Sequence, residues 1–315
     1  MLDREATLPQ TPIEHQHEDQ TVHHFRIAEF PVTIVFRPSE YNGMQLLPSF
    51  EPFRTQQHPA GTPPFLTLVV DDSLRPVRRA DKERIGDFDT GNGRTIVDHI
   101  NDGGYQYIIK DVDGGECCLL QTNSDFSHCE CALKGNYNMR KFGLNNALML
   151  AFAFKGSYCQ TLLIHASLVR HRGKGYAFVA KSGTGKSTHV NLWLSNIPEC
   201  DLMNDDNPIV RIIDGQAFIF GSPWSGKTPC YRNVKAPLGA ITRIDRAKQN
   251  SIDRLNSIQA FASLLPTCSS MKWDKTTYNF NCLTLSQLIA VTPVYTLHCL
   301  PDRAAAELCH NTIAQ

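Results

Sequence analysis

Apolar and polar positions alternate through much of the first half of the chain. FRIAEF and VTIVFR, broken at Pro31, read as short strands. FLTLVV, YQYIIK, ECCLLQ and HCECAL repeat that pattern, and the intervening NDGG and DVDGG favour turns. From Arg37 to Pro64 prolines and polar residues prevail, which predicts an irregular connection. Residues 1–24 are polar and His-rich, with little to bury, and predict a flexible tail.

The pattern changes at Asn138, which can cap a helix beginning near Met139. MRKFGLNNALMLAFAFKGSY is apolar on several faces and predicts a buried helix packed between the two halves. Strands and helices follow in a mixed order. TLLIHASLVR and GYAFVA read as strands, KSTHVNLWLSN as a helix, and IVRII with AFIFG as a hairpin around Asp214–Gly215. PLGAITRID predicts another strand. Helices near 255–265 and 280–290, the strand VYTLHCL and a helix after Pro301 complete the chain. The expected organisation is a β-rich domain over 25–159, ending in the buried helix, and an α/β domain over 160–315.

Composition narrows the class. A chain of 315 residues with 42% hydrophobic and 20% charged positions fits an ordinary globular protein of two domains. Lys+Arg and Asp+Glu are both 31, which argues against a dedicated binder of nucleic acid or anionic membrane. The N-terminus has no apolar signal region, and the longest apolar run, Ala147 to Phe154, is too short to span a bilayer. The expectation is a soluble, cytoplasmic protein. Eleven scattered cysteines do not resemble a disulfide framework. Cys117, Cys118, Cys129 and Cys131 cluster near His128, but their C-C and C-x-C spacings suit strand thiols better than zinc ligands.

One segment carries distinct chemistry. AKSGTGKSTHV joins a strand to a helix through a Gly-rich turn, the arrangement of a phosphate-binding P-loop. Ser182, Gly183, Thr184, Gly185, Lys186, Ser187 and Thr188 form the candidate nucleotide-binding run. Backbone N–H groups there can wrap phosphates, Lys186 can reach the β- and γ-phosphates, and Ser187 can hold Mg²⁺. Ala180 stands where such loops usually open with Gly, but it precedes the cradle. Asp205 and Asp206 follow in LMNDDNPIV, and such a pair can divide metal binding from proton acceptance; a solvated turn is the plainer alternative. His165 sits inside an apolar strand and can modulate a nearby carboxylate. In FGSPWSGKTPCYRN, Lys227 and Arg232 offer positive charge to a transferring phosphoryl group or acidic substrate, and Trp224 can exclude water. CSSMKWDK is a weaker candidate, equally compatible with a loop between helices.

The order of His165, SGTGKS and the Asp205–Asp206 pair resembles the C-terminal domain of the HPr kinase/phosphorylase family. That family shares its nucleotide fold with ATP-dependent phosphoenolpyruvate carboxykinases. The resemblance covers roughly residues 160–315 and implies a P-loop domain with mixed strands. It implies Asp205 as catalytic base with His165 beside it, Ser187 and Asp206 as metal ligands, and Lys186 as the phosphate lysine. The expected activity is transfer of a γ-phosphoryl group from ATP or another nucleotide, with Mg²⁺, to a serine-type hydroxyl on a protein, peptide or small molecule. A nucleotide-binding regulator without transfer activity is the alternative. The family's hexameric members leave homo-oligomerisation open for this chain.

Overall fold

The computed structural model describes residues 20–181, 183–226 and 228–314. Among the described residues the first half builds one mixed sheet from nine strands. They are β1 (Thr21–Ile27), β2 (Phe30–Phe36), β3 (Arg54–Thr55), β4 (Leu66–Val70), β5 (Lys82–Asp89), β6 (Arg94–Ile100), β7 (Tyr105–Lys110), β8 (Glu116–Thr122) and β9 (His128–Leu133). Their spatial order is β3-β1-β2-β4-β9-β8-β7-β6-β5. β2, β4 and β9 are mutually parallel neighbours, and β9 to β5 form an antiparallel meander.

Two details differ from the sequence pattern. The first strand begins at Thr21, because residues 21–24 pair through their backbone with 33–36 whatever their polar side chains. The break between β1 and β2 falls at Ala28–Glu29, not at Pro31, which is inside β2. Ala28 and Glu29 have φ of 48° and 69°, a left-handed pair that closes a two-residue hairpin.

Helix α1 (Tyr137–Ser157) follows, and its N-cap is Asn136, whose side chain accepts from the Met139 N–H. The cap therefore lies two residues before the expected Asn138. α1 lies against β8 and β9 on one side and meets the second half on the other.

That second half has nine strands among its described residues. They are β10 (Thr161–Leu163), β11 (Ala166–His171), β12 (Lys174–Val179), β13 (Cys200–Asp206), β14 (Ile209–Ile213), β15 (Gln216–Phe220), β16 (Lys235–Arg246), β17 (Ser251–Arg254) and β18 (Val294–Cys299). Four helices accompany them: α2 (Lys186–Asn196), α3 (Ser257–Leu264), α4 (Lys275–Val291) and α5 (Arg303–Ile313). The main path is β10-β14-β15-β16-β12-β11-β13, and the later part of β16 also pairs with β18. Alternate residues along the strands face opposite layers. Val169, Tyr176, Phe178 and Ala240 pack under α2 and α5, whereas Leu168, Ala177, Val179 and Ile241 pack under α3 and α4. The architecture is α/β with large mixed sheets. Among the described residues no helix is long and apolar enough to cross a membrane.

The halves share one apolar core. Phe25, Phe50, Leu68, Tyr107 and Phe152 cluster with Leu163, Ile209, Phe220, Trp224 and Met271. Arg211 donates to the Ala28 carbonyl at 2.6 Å and lies 3.8 Å from the Phe30 ring centroid, and Lys235 pairs with Glu29 at 3.0 Å. The left-handed hairpin turn is thus held by cations from the other half.

Candidate functional site

β12 and β16 are parallel, as are β16 and β18, while β11 runs antiparallel to both β12 and β13. The C-terminal ends of β12, β13, β16 and β18 therefore share one sheet edge with the N-terminal end of β11. Open α/β sheets bind ligands outside such an edge. The Gly-rich loop leaves β12 at the middle of it. Asp205 and Asp206 end β13 on one side, and His165 immediately precedes β11.

The loop's glycines are required by conformation. Gly183 and Gly185 have φ of 74° and 124°, and a Cβ at either would meet nothing within 4 Å. Ala180 keeps a negative φ and packs half-buried against the core under α2, so it needs no glycine. Among the described residues no side chain caps α2, which leaves its first-turn N–H groups without a side-chain partner there. Arg246, at the end of β16, donates to the carbonyls of Gly183 at 2.6 Å and Thr184 at 2.9 Å, tying the loop to the neighbouring strand. Ser187 and Thr188 are exposed on the first turn of α2. Ser182 lies outside the described residues.

Lys186 is half-buried. Desolvation pulls its pKa below the ordinary lysine value, and the charges of Asp206 and Asp205 oppose that shift. The ammonium therefore feels both carboxylates. Asp205 is 6% exposed. Ser167 Oγ donates to its Oδ1 at 2.7 Å, and the Thr228 N–H lies 3.4 Å from Oδ2. Asp206 is half-buried, with Oδ1 at 3.0 Å from His165 Nδ1 and Oδ2 accepting from Asn207 at 2.8 Å. The pair is thus the end of a strand and not a solvated turn.

His165 is not inside a strand. TLLIHASLVR divides into β10 and β11, with Ile164 bridged to Cys268 and the His165 N–H donating to the Thr267 carbonyl at 2.7 Å. At this break the imidazole is free to turn outward, and it meets Asp206; the contact expected with Asp205 is made instead by Ser167.

The 221–234 loop lies along the outer side of β13. Ser225 bridges Asp206, and the Gly226 N–H donates to the Asp205 carbonyl. A Cβ at Gly226 would come within 2.9 Å of that carbonyl oxygen, so close passage of the loop requires glycine. Lys227 lies outside the described residues. Arg232 does not face the carboxylate pair, contrary to its assignment as a phosphate or substrate group. It donates to Asp201 at 2.8 Å and to the Leu202 carbonyl, and Asp201 is also held by Arg170 at 2.7 Å. Trp224 is likewise no lid over a ligand. It is buried between Phe50 and Phe152, with ring centroids 5.8 and 5.4 Å away.

Cys117, Cys118, Cys129 and Cys131 are buried on β8 and β9. Burial raises Cys118 and Cys129 well above the ordinary thiol value and pushes Cys117 up to about 11, which keeps these thiols protonated. Among the described residues no group of three or more His, Cys, Asp or Glu side chains is arranged to hold a metal ion. The CSSMKWDK segment joins the two halves. Met271 and Asp274 meet Tyr107 and Tyr105, and Trp273 stacks on Phe88 at 4.7 Å.

Sequence reasoning missed Arg246 and Ser167. Both act across strand neighbours, and neither belongs to a local motif.

No family model matches the chain, and no curated protein matches it. Among solved structures, it is similar to the Hpr(Ser) kinase/phosphatase from Coxiella burnetii. The sequence identity is 9% and the TM-score 0.29, over 47% of this chain and 94% of that one.

Proposed function

We propose that this chain is a Mg²⁺-dependent kinase that transfers the γ-phosphoryl group of a nucleotide to a hydroxyl. The observation that carries the reading is the convergence of an uncapped helix N-terminus, Lys186 and two carboxylates on one sheet edge. The first-turn N–H groups of α2 and the Lys186 ammonium bind the phosphates and offset the charge that develops during transfer. Ser187 Oγ and the half-exposed Asp206 are hard oxygen donors on accessible positions, a donor set that fits Mg²⁺. Bound there, Mg²⁺ would neutralise charge on the β- and γ-phosphates. His165 holds the Asp206 carboxylate in place.

Asp205 is the proton acceptor in this reading. Ser167 orients its Oδ1, whereas the contact at Oδ2 is at the outer limit of a hydrogen bond and leaves lone-pair capacity. The acceptor's O–H proton passes to Oδ2 as the acceptor oxygen bonds to the γ-phosphorus. The bond from that phosphorus to the bridging oxygen breaks, and a nucleoside diphosphate leaves.

The test uses calorimetric binding of a non-hydrolysable ATP analogue with Mg²⁺, followed by transfer from γ-labelled ATP to free serine and serine-bearing peptides. Lys186→Ala is expected to weaken analogue binding at least about tenfold through loss of a charged phosphate contact. Asp205→Asn is expected to bind the analogue normally but transfer about 10²–10⁴-fold more slowly. Undiminished transfer by Asp205→Asn would remove the base assignment. Tight binding by the wild type, with no transfer to any acceptor, would favour a nucleotide-binding regulator.

A further inference from the structure

The sheet of the first half ends on β5, whose eight residues are half-buried or exposed. Among the described residues β5 pairs with β6 alone. At the opposite edge β3 is only two residues long. A long edge with unpaired N–H and C=O groups invites another strand, and natural sheets usually shorten, cover or charge it. β5 is charged, and its charges are ordered.

β5 has one residue more than β6 can match. Lys82 pairs with Ile100 and Arg84 with Asp98; then Gly86 pairs with Val97, Asp87 with Ile96 and Asp89 with Arg94. Ile85 is left over as a bulge and packs toward the apolar core. The bulge shifts the alternation of faces by one residue. Lys82, Arg84, Asp87 and Asp89 therefore share one face, because their β6 partners are alternate residues. That face reads positive, positive, negative, negative, and Gly86 is the middle of seven paired positions.

We propose that two copies of this chain pair edge to edge through β5, antiparallel, about a twofold axis at Gly86. In this register the strand is complementary to itself. Arg84 faces Asp87 of the second copy, and Lys82 faces its Asp89. The axis repeats both, so four opposite-charge pairs lie on one face. Two identical antiparallel strands share a twofold only where one position faces itself. Eight regular positions would provide none at the centre of this charge pattern. The bulge leaves seven, and Gly86 is the self-facing one. With no side chain, it lets the two backbones approach at the axis.

The charges are also held in place beforehand. Arg84 is tied to Asp98 through Nε, and Asp87 pairs with Arg94 at 2.6 Å, yet Arg84 and Asp87 both remain exposed. Across the axis the signs alternate from Asp98 to Arg84, then to Asp87 and Arg94 of the second copy. Such complementarity fixes register and excludes strands of other charge order. The surface belongs to the first half, so the proposal stands apart from the kinase reading.

The test is sedimentation equilibrium of the full chain over a concentration series. Wild type is expected to associate reversibly to a dimer and no further, since a twofold pairing uses up the edge. Asp87→Lys combined with Asp89→Lys makes all four pairs like-charged and is expected to weaken the dimer at least about tenfold. Both carboxylates are exposed, so the circular dichroism of this variant is expected to match wild type. Glu83→Gln, on the other face of the strand, is expected to leave the dimer as it is. Hydrogen exchange of wild type gives a readout that needs no variant. Amides within residues 82–89 are expected to exchange more slowly as concentration rises, while those of β3 do not change. A monomer at every concentration would overturn the proposal and leave the edge to a strand of another protein. A dimer equally strong in the double variant, or β5 amides indifferent to concentration, would overturn it as well.

Discussion

His189 sits one turn into α2 with its ring against Phe178 and Trp193. Burial pulls its pKa from 6.5 down to about 4, so the folded chain holds the imidazole neutral. The unfolded chain binds a proton at higher pH than the folded one. This contribution is therefore complete above about pH 6.5 and is lost as pH falls toward 4, by roughly 3 kcal/mol in all. His189→Gln keeps an acceptor for Trp193 and removes the titration. Urea midpoints measured from pH 7 to pH 4 should fall less steeply for the variant, and parallel curves would refute the assignment. At this scale the Gly-rich turn between β12 and α2 was legible because its residues stand within a few positions of one another. Arg246 was not, because the carbonyls it holds are 62 and 63 positions away. Ser167 was hidden in the same way, since its partner Asp205 lies on the adjacent strand.

Helix α1 shows how an element can oppose its own local preference. Gly143 lies near its middle, where Ala would favour the helix by about 1 kcal/mol in an exposed position. Here a Cβ would stand 2.7 Å from the Cys117 carbonyl oxygen and 2.9 Å from the Cys118 Cβ. The backbone of β8 cannot yield as a flexible side chain would. Gly143→Ala is expected to destabilise the protein by about 1–3 kcal/mol through overpacking, measured as a lowered urea midpoint with an unchanged slope. A stabilised variant would show that α1 does not press on β8 so closely. Helices with strong apolar patterning were legible at this scale. β5 and β6 were not anticipated, because edge strand β5 is largely exposed and lacks a buried alternating face. The division of TLLIHASLVR was also illegible. Residues 161–163 pair with β14 and residues 166–171 with β12 and β13, a change of partner that leaves the apolar run unbroken.

Across the whole molecule, Trp224 joins the halves. It reaches from the loop beside Asp205 into a core containing Phe50 and Phe152. Trp224→Ala should cost about 3–5 kcal/mol, as for other large aromatic truncations in a core. Circular dichroism and tryptophan fluorescence should both report the loss, with one midpoint. Separate midpoints would mean that the halves unfold independently. The mixed α/β character was readable from the succession of elements, but the docking of the halves was not. Glu29 meets Lys235 and Arg211, and Tyr105 meets Asp274, over separations that no local pattern records.

That shared core bears on the order of biosynthesis. Phe50 and Phe152 leave the ribosome well before Trp224, which follows Phe152 by roughly seventy residues. At ordinary elongation rates this is a wait of about 4 to 14 s. Throughout that interval the nascent chain carries an aromatic surface whose cover has not been synthesised, and Arg211, which later secures the Ala28–Glu29 turn, also arrives late. The first half can therefore complete its core only when the loop beside the carboxylates emerges and Trp224 packs on Phe50 and Phe152.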